Sequence, residues 1–408
     1  VSCQWTKSVK LSCIILLTVP FLTGCWDRLE IEERAVILGI SIDLAGSEAE
    51  QEEDEVSHLR GSFPTPEEAM IRVAAQIALP GRIPLGPGEG GGSSEGSGET
   101  VWVIDVVGHS VDDALMNLQQ QLSSKLFYGH LRVIVVSEAV AKSGLQNVND
   151  VLRRNSEVRR MMWMIISKGN AKKIMTASPK LERVPSLYLL STLDNAVKLG
   201  KFPNDYVGLF WSNSSKKGQE GFLPYVELMK EQNINLLGMA YFKDDKMVGT
   251  TKPFEIAGYM GIKGLNPAGY RGVANLDEGA IMIVATHRES KFDVRIEGGR
   301  PHFKIYVQTE INLEEIISGQ FLVVNEKIIK DIEDENIKSL KKSYESLIKQ
   351  TQRKGSDIFG FGEYLRAKNP RYWDREIRTK ERWQEAYKDV VVEVSVNTRV
   401  RRVGMKAK

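Results

Sequence analysis

Phe292-Asp293-Val294-Arg295-Ile296-Glu297-Gly298-Gly299, followed by Phe303-Lys304-Ile305-Tyr306-Val307-Gln308-Thr309-Glu310-Ile311-Asn312-Leu313, alternates apolar and polar residues on both sides of a glycine pair. Side chains on a strand point alternately to its two faces, so a period of two predicts a hairpin with one buried face. Gly298-Gly299 supplies the positive φ of a tight turn. The period then changes. From Glu326 to Lys354 the apolar residues Ile329, Ile332, Ile337, Leu340, Tyr344, Leu347 and Ile348 fall at helical spacing, with Glu345 and Lys349 as a favourable i,i+4 pair. Gly355 is expected to stop this helix. A shorter helix is expected near Asp357, and another from Pro370 to Tyr387. In the last strand Val392, Val394, Val396, Thr398 and Val400 alternate with Glu393, Ser395, Asn397, Arg399 and Arg401, and it is expected to join the hairpin's sheet. The reading is a C-terminal α+β domain over residues 276–408, an antiparallel sheet packed by long helices.

Upstream, strands and helices alternate. Ala35–Asp43, Met70–Leu79, Val101–Val107, Leu131–Val136 and Met161–Ile166 read as strands. Ser110 opens a helix whose face is Val111, Leu115, Leu118 and Leu122, its hydroxyl placed to accept an orphan backbone N–H. Helical segments over Glu138–Arg154 should break at Gly144, and Asn170 should cap a short helix. This predicts an N-terminal α/β domain over residues 25–190. Leu187–Leu199 reads as helical, 212–220 as a polar loop, and Leu236–Phe242 with Lys246–Thr250 as a hairpin turned at Lys243-Asp244-Asp245, within a middle domain at 191–275. The whole is a multi-domain α+β chain of about three units. Residues 47–68 are acidic and polar and read as a solvated insertion. Gly81–Gly98 lacks the Gly-Lys-Ser/Thr of a phosphate-binding loop and reads as a flexible connection between two strands.

At the start, Lys7 and Lys10 precede an apolar run from Leu11 to Leu22, too short to span a bilayer. This pattern reads as a signal peptide over residues 1–24. Its end, Leu22-Thr23-Gly24-Cys25, resembles the lipobox of bacterial lipoproteins; the alternative is a membrane anchor that happens to contain a cysteine. The lipobox implies lipidation of Cys25 by a diacylglycerol and cleavage before it. Two acyl chains anchor stably, at about 0.8 kcal/mol per buried CH₂. Very little chain separates Cys25 from the first strand, which places the fold close to the bilayer and favours a membrane partner.

The 408 residues carry 55 basic and 53 acidic side chains, and with Lys7 and Lys10 removed the two balance. Nothing in that balance points to nucleic acid. Cys3, Cys13 and Cys25 are the three cysteines, so the mature chain has no disulfide and must be held by packing. The five histidines, His58, His109, His130, His287 and His302, show no metal-ligand spacing. There is no His-Glu-x-x-His and no Gly-x-Ser-x-Gly. His130, at a strand entry, is the best single candidate for a polar role, against the plainer reading of a locally bonded histidine. Phe359 and Phe361, interleaved with Gly360 and Gly362, could form a binding ledge; the plainer reading is core packing. Trp373 and Trp383 are expected on one helical face, again packing. No enzymatic constellation, cofactor or metal site is expected.

Cys25-Trp26-Asp27-Arg28, Gly39-Ile40-Ser41-Ile42-Asp43, the Gly-rich loop before Val101-Trp102-Val103-Ile104, Phe127-Tyr128-Gly129-His130, Ser356-Asp357-Ile358-Phe359-Gly360-Phe361-Gly362-Glu363-Tyr364, Trp373, Trp383 and Arg401-Arg402-Val403-Gly404 together resemble the Ger(x)C family. That family comprises the lipoprotein C subunits of nutrient germinant receptors of endospores. The resemblance implies a three-domain α+β protein on the outer face of the spore's inner membrane, acting with integral-membrane A and B subunits. It implies no enzymatic activity. It carries over no ligand-binding residue beyond the lipidated Cys25, and leaves open whether this subunit touches the nutrient. The alternative is a lipoprotein solute-binding component of a transporter, which usually has two similar lobes around a cleft after a flexible tether.

Overall fold

The computed structural model describes residues 33–52, 56, 69–79, 100–177, 182, 184–230, 232–266, 268–319 and 326–402. The signal peptide, Cys25, His58, most of the acidic 47–68 segment and the Gly81–Gly98 loop lie outside the described residues.

The first sheet contains β1 (Arg34–Leu44), β2 (Ile71–Ala78), β3 (Val101–Gly108), β4 (Lys125–Phe127), β5 (Val133–Ser137), β6 (Trp163–Ser167), β7 (Phe222–Leu228), β8 (Ile234–Lys243) and β9 (Lys246–Thr250). Their order is β3-β2-β1-β5-β6-β7-β8-β9, with β4 beside the start of β1. The centre, β1-β5-β6-β7, is parallel, and the two flanks are antiparallel. Parallel neighbours need crossovers, and the helices provide them. These are α1 (Val111–Gln120), α2 (Glu138–Ser143), α3 (Gln146–Arg154), α4 (Ala171–Met175), α5 (Pro185–Lys198) and α6 (Val207–Ser214). Two are capped as expected: Ser110 accepts from the Asp113 N–H at 3.1 Å and Asn170 from Lys173 at 3.0 Å, while Ser137 caps a third by accepting from Val140 at 3.4 Å.

All five residues of β5 and all five of β6 are buried. Strands covered on both faces read as unbroken apolar runs, which is why Val-Ile-Val-Val and Trp-Met-Ile-Ile show no alternation. Val133, Val135, Trp163 and Ile165 point to one core, and Ile134, Val136, Met164 and Ile166 to another.

The second sheet is β10 (Arg271–Leu276), β11 (Gly279–Glu297), β12 (Arg300–Gly319) and β13 (Val391–Arg402), in that order. β11 and β12 form the expected hairpin, turned at Gly298 and Gly299 with φ of 57° and 79°. The odd residues Phe303 to Leu313 are buried. Across the sheet α7 (Pro253–Ile262) and α8 (Glu326–Lys354) are followed by α9 (Phe361–Lys368) and α10 (Lys380–Tyr387). Val394 is buried, Val396 is partly buried and Asn397 is exposed, so the inward parity of β13 holds.

Several expectations need correction. The C-terminal sheet is antiparallel only through β10-β11-β12. β13 pairs with β12 in parallel, because the chain returns through the α8–α10 crossover instead of a turn. The helix expected from Pro370 to Tyr387 is interrupted: Arg378 has φ 64° and Thr379 starts α10 by accepting from the Arg382 N–H at 3.3 Å. Trp373 and Trp383 therefore meet from two segments, ring centroids 5.8 Å apart, and both are buried. The start of the polar 212–220 loop is the end of α6, held by Phe210 in the core and by Trp211 Nε1 donating to Asn149 at 2.7 Å. The line drawn at residue 190 falls inside α5, and strands on both sides of it share the first sheet. One face of that sheet and the second sheet bury a common core, in which Trp163 and Phe222 join Phe303, Phe361 and Trp383.

Candidate functional site

The two sheets meet at a buried polar junction made by residues 356–364. Gly360 takes the left-handed φ of 76°, which lets the chain turn back over Asp357. The Asp357 carboxylate accepts from the Gly360 and Gly362 N–H groups, each at 2.9 Å, and from Trp383 Nε1 at 3.0 Å. Burial raises its pKa to about 6, although these donors pull it down. The Asp357 carbonyl accepts from the Glu220 N–H at 2.8 Å. Gly218 and Glu363 exchange two further bonds across the same line, at 2.9 and 3.0 Å. A Cβ on Gly218 would lie 2.3 Å from the Gly362 carbonyl carbon, so contact this close requires glycine. Ser356 Oγ donates to the Phe242 carbonyl at 2.5 Å, and Lys263 Nζ donates to that of Phe359 at 2.8 Å.

A second layer surrounds Glu220, which is 2% exposed. Its carboxylate pairs with Lys380 Nζ at 2.9 Å and accepts from Gln384 Nε2 at 2.7 Å and the Asp244 N–H at 3.1 Å. Burial raises its pKa to about 7, against the pull of Lys380 and Gln384. Lys380 and Gln384 also reach Asp244, in the β8–β9 turn, at 3.3 and 2.9 Å. Outside this layer lies an open cleft of about 650 Å³, lined by Asn149, Asp150, Arg153, Ser214, Asp244 and Lys380 among others.

This arrangement can hold two parts of the chain in one register and offer mixed polar groups to solvent. Its carboxylates are committed to backbone and side-chain donors, which is a positioning role. Among the described residues no group of three His, Cys, Asp or Glu side chains could hold a metal ion.

The singled-out residues fall apart in space. Phe359 and Phe361 are fully buried with ring centroids 5.3 Å apart, so they pack the core. His130 lies at the entry to β5 edge-on to Phe127, and burial with Arg132 and Arg159 nearby depresses its pKa. His302 sits between Glu297 at 2.7 Å and Glu393 at 3.0 Å, tying the β11–β12 turn to β13. Glu220, Lys380 and Gln384 went unnoticed in the sequence, since 164 positions separate Glu220 from Gln384. Asp357 three residues before Gly360 did carry a signal, the spacing of an aspartate that bonds its own turn.

The family model described as the spore germination protein N-terminal domain matches residues 27–228, and the one described as spore germination B3/GerAC like, C-terminal, matches residues 237–404. Spore germination protein KC of Bacillus subtilis (strain 168) is 24% identical over 422 residues, covering 98% of this chain and 97% of that protein. Spore germination protein B3 of the same organism is 21% identical, covering 97% of this chain and 98% of its own. The crystal structure of the GerBC protein shares the fold at a TM-score of 0.54 and 17% identity, over 83% of this chain and 95% of that one. With both family domains in order along a single α+β chain, the protein belongs to the GerAC-like family of spore germination proteins.

Proposed function

We propose that this chain is the C subunit of a nutrient germinant receptor, lipid-anchored through Cys25 on the outer face of the spore inner membrane and acting with integral-membrane A and B subunits. The observation that carries this reading is the full-length match to spore germination proteins, which begins at residue 27, directly after the lipobox-like Leu22-Thr23-Gly24-Cys25. Among the described residues no helix is long and apolar enough to cross a membrane. The subunit is read as non-enzymatic, a rigid body whose joined halves pass a state to its partners. The shared core of the two sheets supports this over a transporter's solute-binding component, whose lobes move about a cleft.

Two measurements test the reading. Spores lacking the chain should lose dipicolinate release for at least one nutrient in a panel while germinating normally with the others. Cys25→Ala should abolish fatty-acid labelling and reduce membrane retention and that same response together. An unchanged response in the deletion strain across a broad panel rejects the receptor role; label in the Ala variant rejects the anchor.

A further inference from the structure

The second sheet buries a positive charge that nothing in the junction uses. Arg288, on β11, is 3% exposed. One guanidinium nitrogen donates weakly to the Ala257 carbonyl at 3.4 Å, while Nη2 has no protein partner. Among the described residues no carboxylate is found acting on it: burial works against the charge, and the groups that favour it are the phenols of Tyr344 and Tyr270. Natural interiors rarely leave a buried ion unpaired, because the desolvation cost is then uncompensated.

A β-bulge puts Arg288 there. Along β11 the inward residues are Ile281, Ile283 and then Ala285, opposite Ile311. The register shifts between Ala285 and His287, leaving Thr286 as the extra residue, and from there the even positions Arg288 and Val294 turn inward, opposite Thr309 and Phe303. Without the bulge Arg288 would point to solvent. Bulges of this kind re-aim side chains beside functional sites.

The guanidinium lines a cavity of about 50 Å³ between the sheet, α7 and α8, walled by Phe254, Tyr270, Ile283, Leu340 and Tyr344. That is room for about four water-sized spheres, enough for a carboxylate and one or two carbons. Arg271, at the same cavity, is already paired with Glu314 through two bonds of 2.6 and 3.0 Å. One uncompensated charge among apolar walls matches a monoanion; a phosphate dianion would bring a charge with no counterpart. A guanidinium fork also fits the two oxygens of a carboxylate.

We propose that the Arg288 cavity binds a carboxylate group carrying a small apolar substituent. The inference is independent of the receptor reading, since it concerns a binding equilibrium of the isolated chain. The test uses the purified full chain with propionate, a carboxylate on two carbons, and propionamide as its neutral isostere. Propionate should bind saturably in ligand-observed NMR and raise the melting temperature, and propionamide should do neither. Arg288→Met should weaken propionate binding at least tenfold while melting no lower than the native chain. Arg288→Lys, which keeps the charge and loses the fork, should weaken it less. If acid and amide bind alike, or neither binds, the proposal fails on the native chain alone, whether or not the variants fold. Equal affinity of native chain and Arg288→Met also overturns it. A short peptide ending in alanine, as free acid and as amide, separates the sources: an acid peptide that binds more tightly than propionate assigns the site to a chain end, and one that binds more weakly assigns it to a free carboxylate.

Discussion

The junction around Asp357 and the cavity around Arg288 both take charge out of water, and they settle its cost differently. At the junction, Asp357 receives two backbone N–H groups and an indole, and Glu220 receives a lysine, an amide and a further N–H. At Arg288 one nitrogen has a long bond and another has none. The first arrangement is complete within the chain and fixes one geometry; the second is complete only when something else supplies the acceptor. The contrast separates a structural ion from a binding ion by counting filled bonds.

The largest effect should come from emptying the junction. Asp357→Ala orphans two backbone donors and the Trp383 indole in a dry core, and should cost about 3–5 kcal/mol, read as loss of cooperative unfolding or a steep fall in melting temperature. A melting temperature close to the native one would break the comparison at its base.

The pH dependence follows from the same groups. Asp357 and Glu220 have folded pKa values raised to about 6 and about 7, from ordinary values of 3.8 and 4.5. The folded chain therefore holds protons that the unfolded chain has released, and stability should fall as pH rises from about 4 to about 7. Glu220→Gln, which stays neutral throughout, should flatten the upper part of that slope. Denaturant midpoints of the native chain and Glu220→Gln measured across this range check it, and equal slopes in the two would show that bonding overrides burial at Glu220.

Arg288→Met should move stability the other way. Replacing an unpaired buried ion by an apolar side chain of similar length should stabilise by about 1 kcal/mol or more. A clear loss in calorimetry would mean that the guanidinium has a structural role and would erase the contrast with the junction. The smallest effects calibrate the scale on β13. Val396→Asp, at a partly buried position, should cost about 1–2 kcal/mol, and exposed Asn397→Asp should stay within about 0.5 kcal/mol. Equal melting temperatures for the two would mean that the register of β13 against β12 differs from that described.

Local pattern made most elements legible. Period two gave the β11–β12 hairpin and the parity of β13, helical spacing gave α8, and hydroxyl or amide side chains gave the starts of α1 and α4. The junction was only partly visible. Asp357 and Gly360 carried a turn signature, while Glu220 and Gln384 had no local reason to be read together. Arg288 was hidden more deeply. The alternation of Phe292, Val294 and Ile296, carried back along β11, puts position 288 on the inward face, but nothing local says that a guanidinium stays unpaired there or that a bulge at Thr286 separates it from the odd inward residues before it.

Sequence alone therefore determined what depends on neighbours along the chain: apolar periodicity, caps, glycine turns, and a family resemblance spread over the full length. Tertiary structure decided what depends on distance in space. The helical crossover made β13 parallel to β12. One continuous sheet ran through the line drawn at residue 190. Charges far apart in the chain met at Glu220 because folding, rather than sequence spacing, brings their elements together, and burial then made their hydrogen bonds decisive.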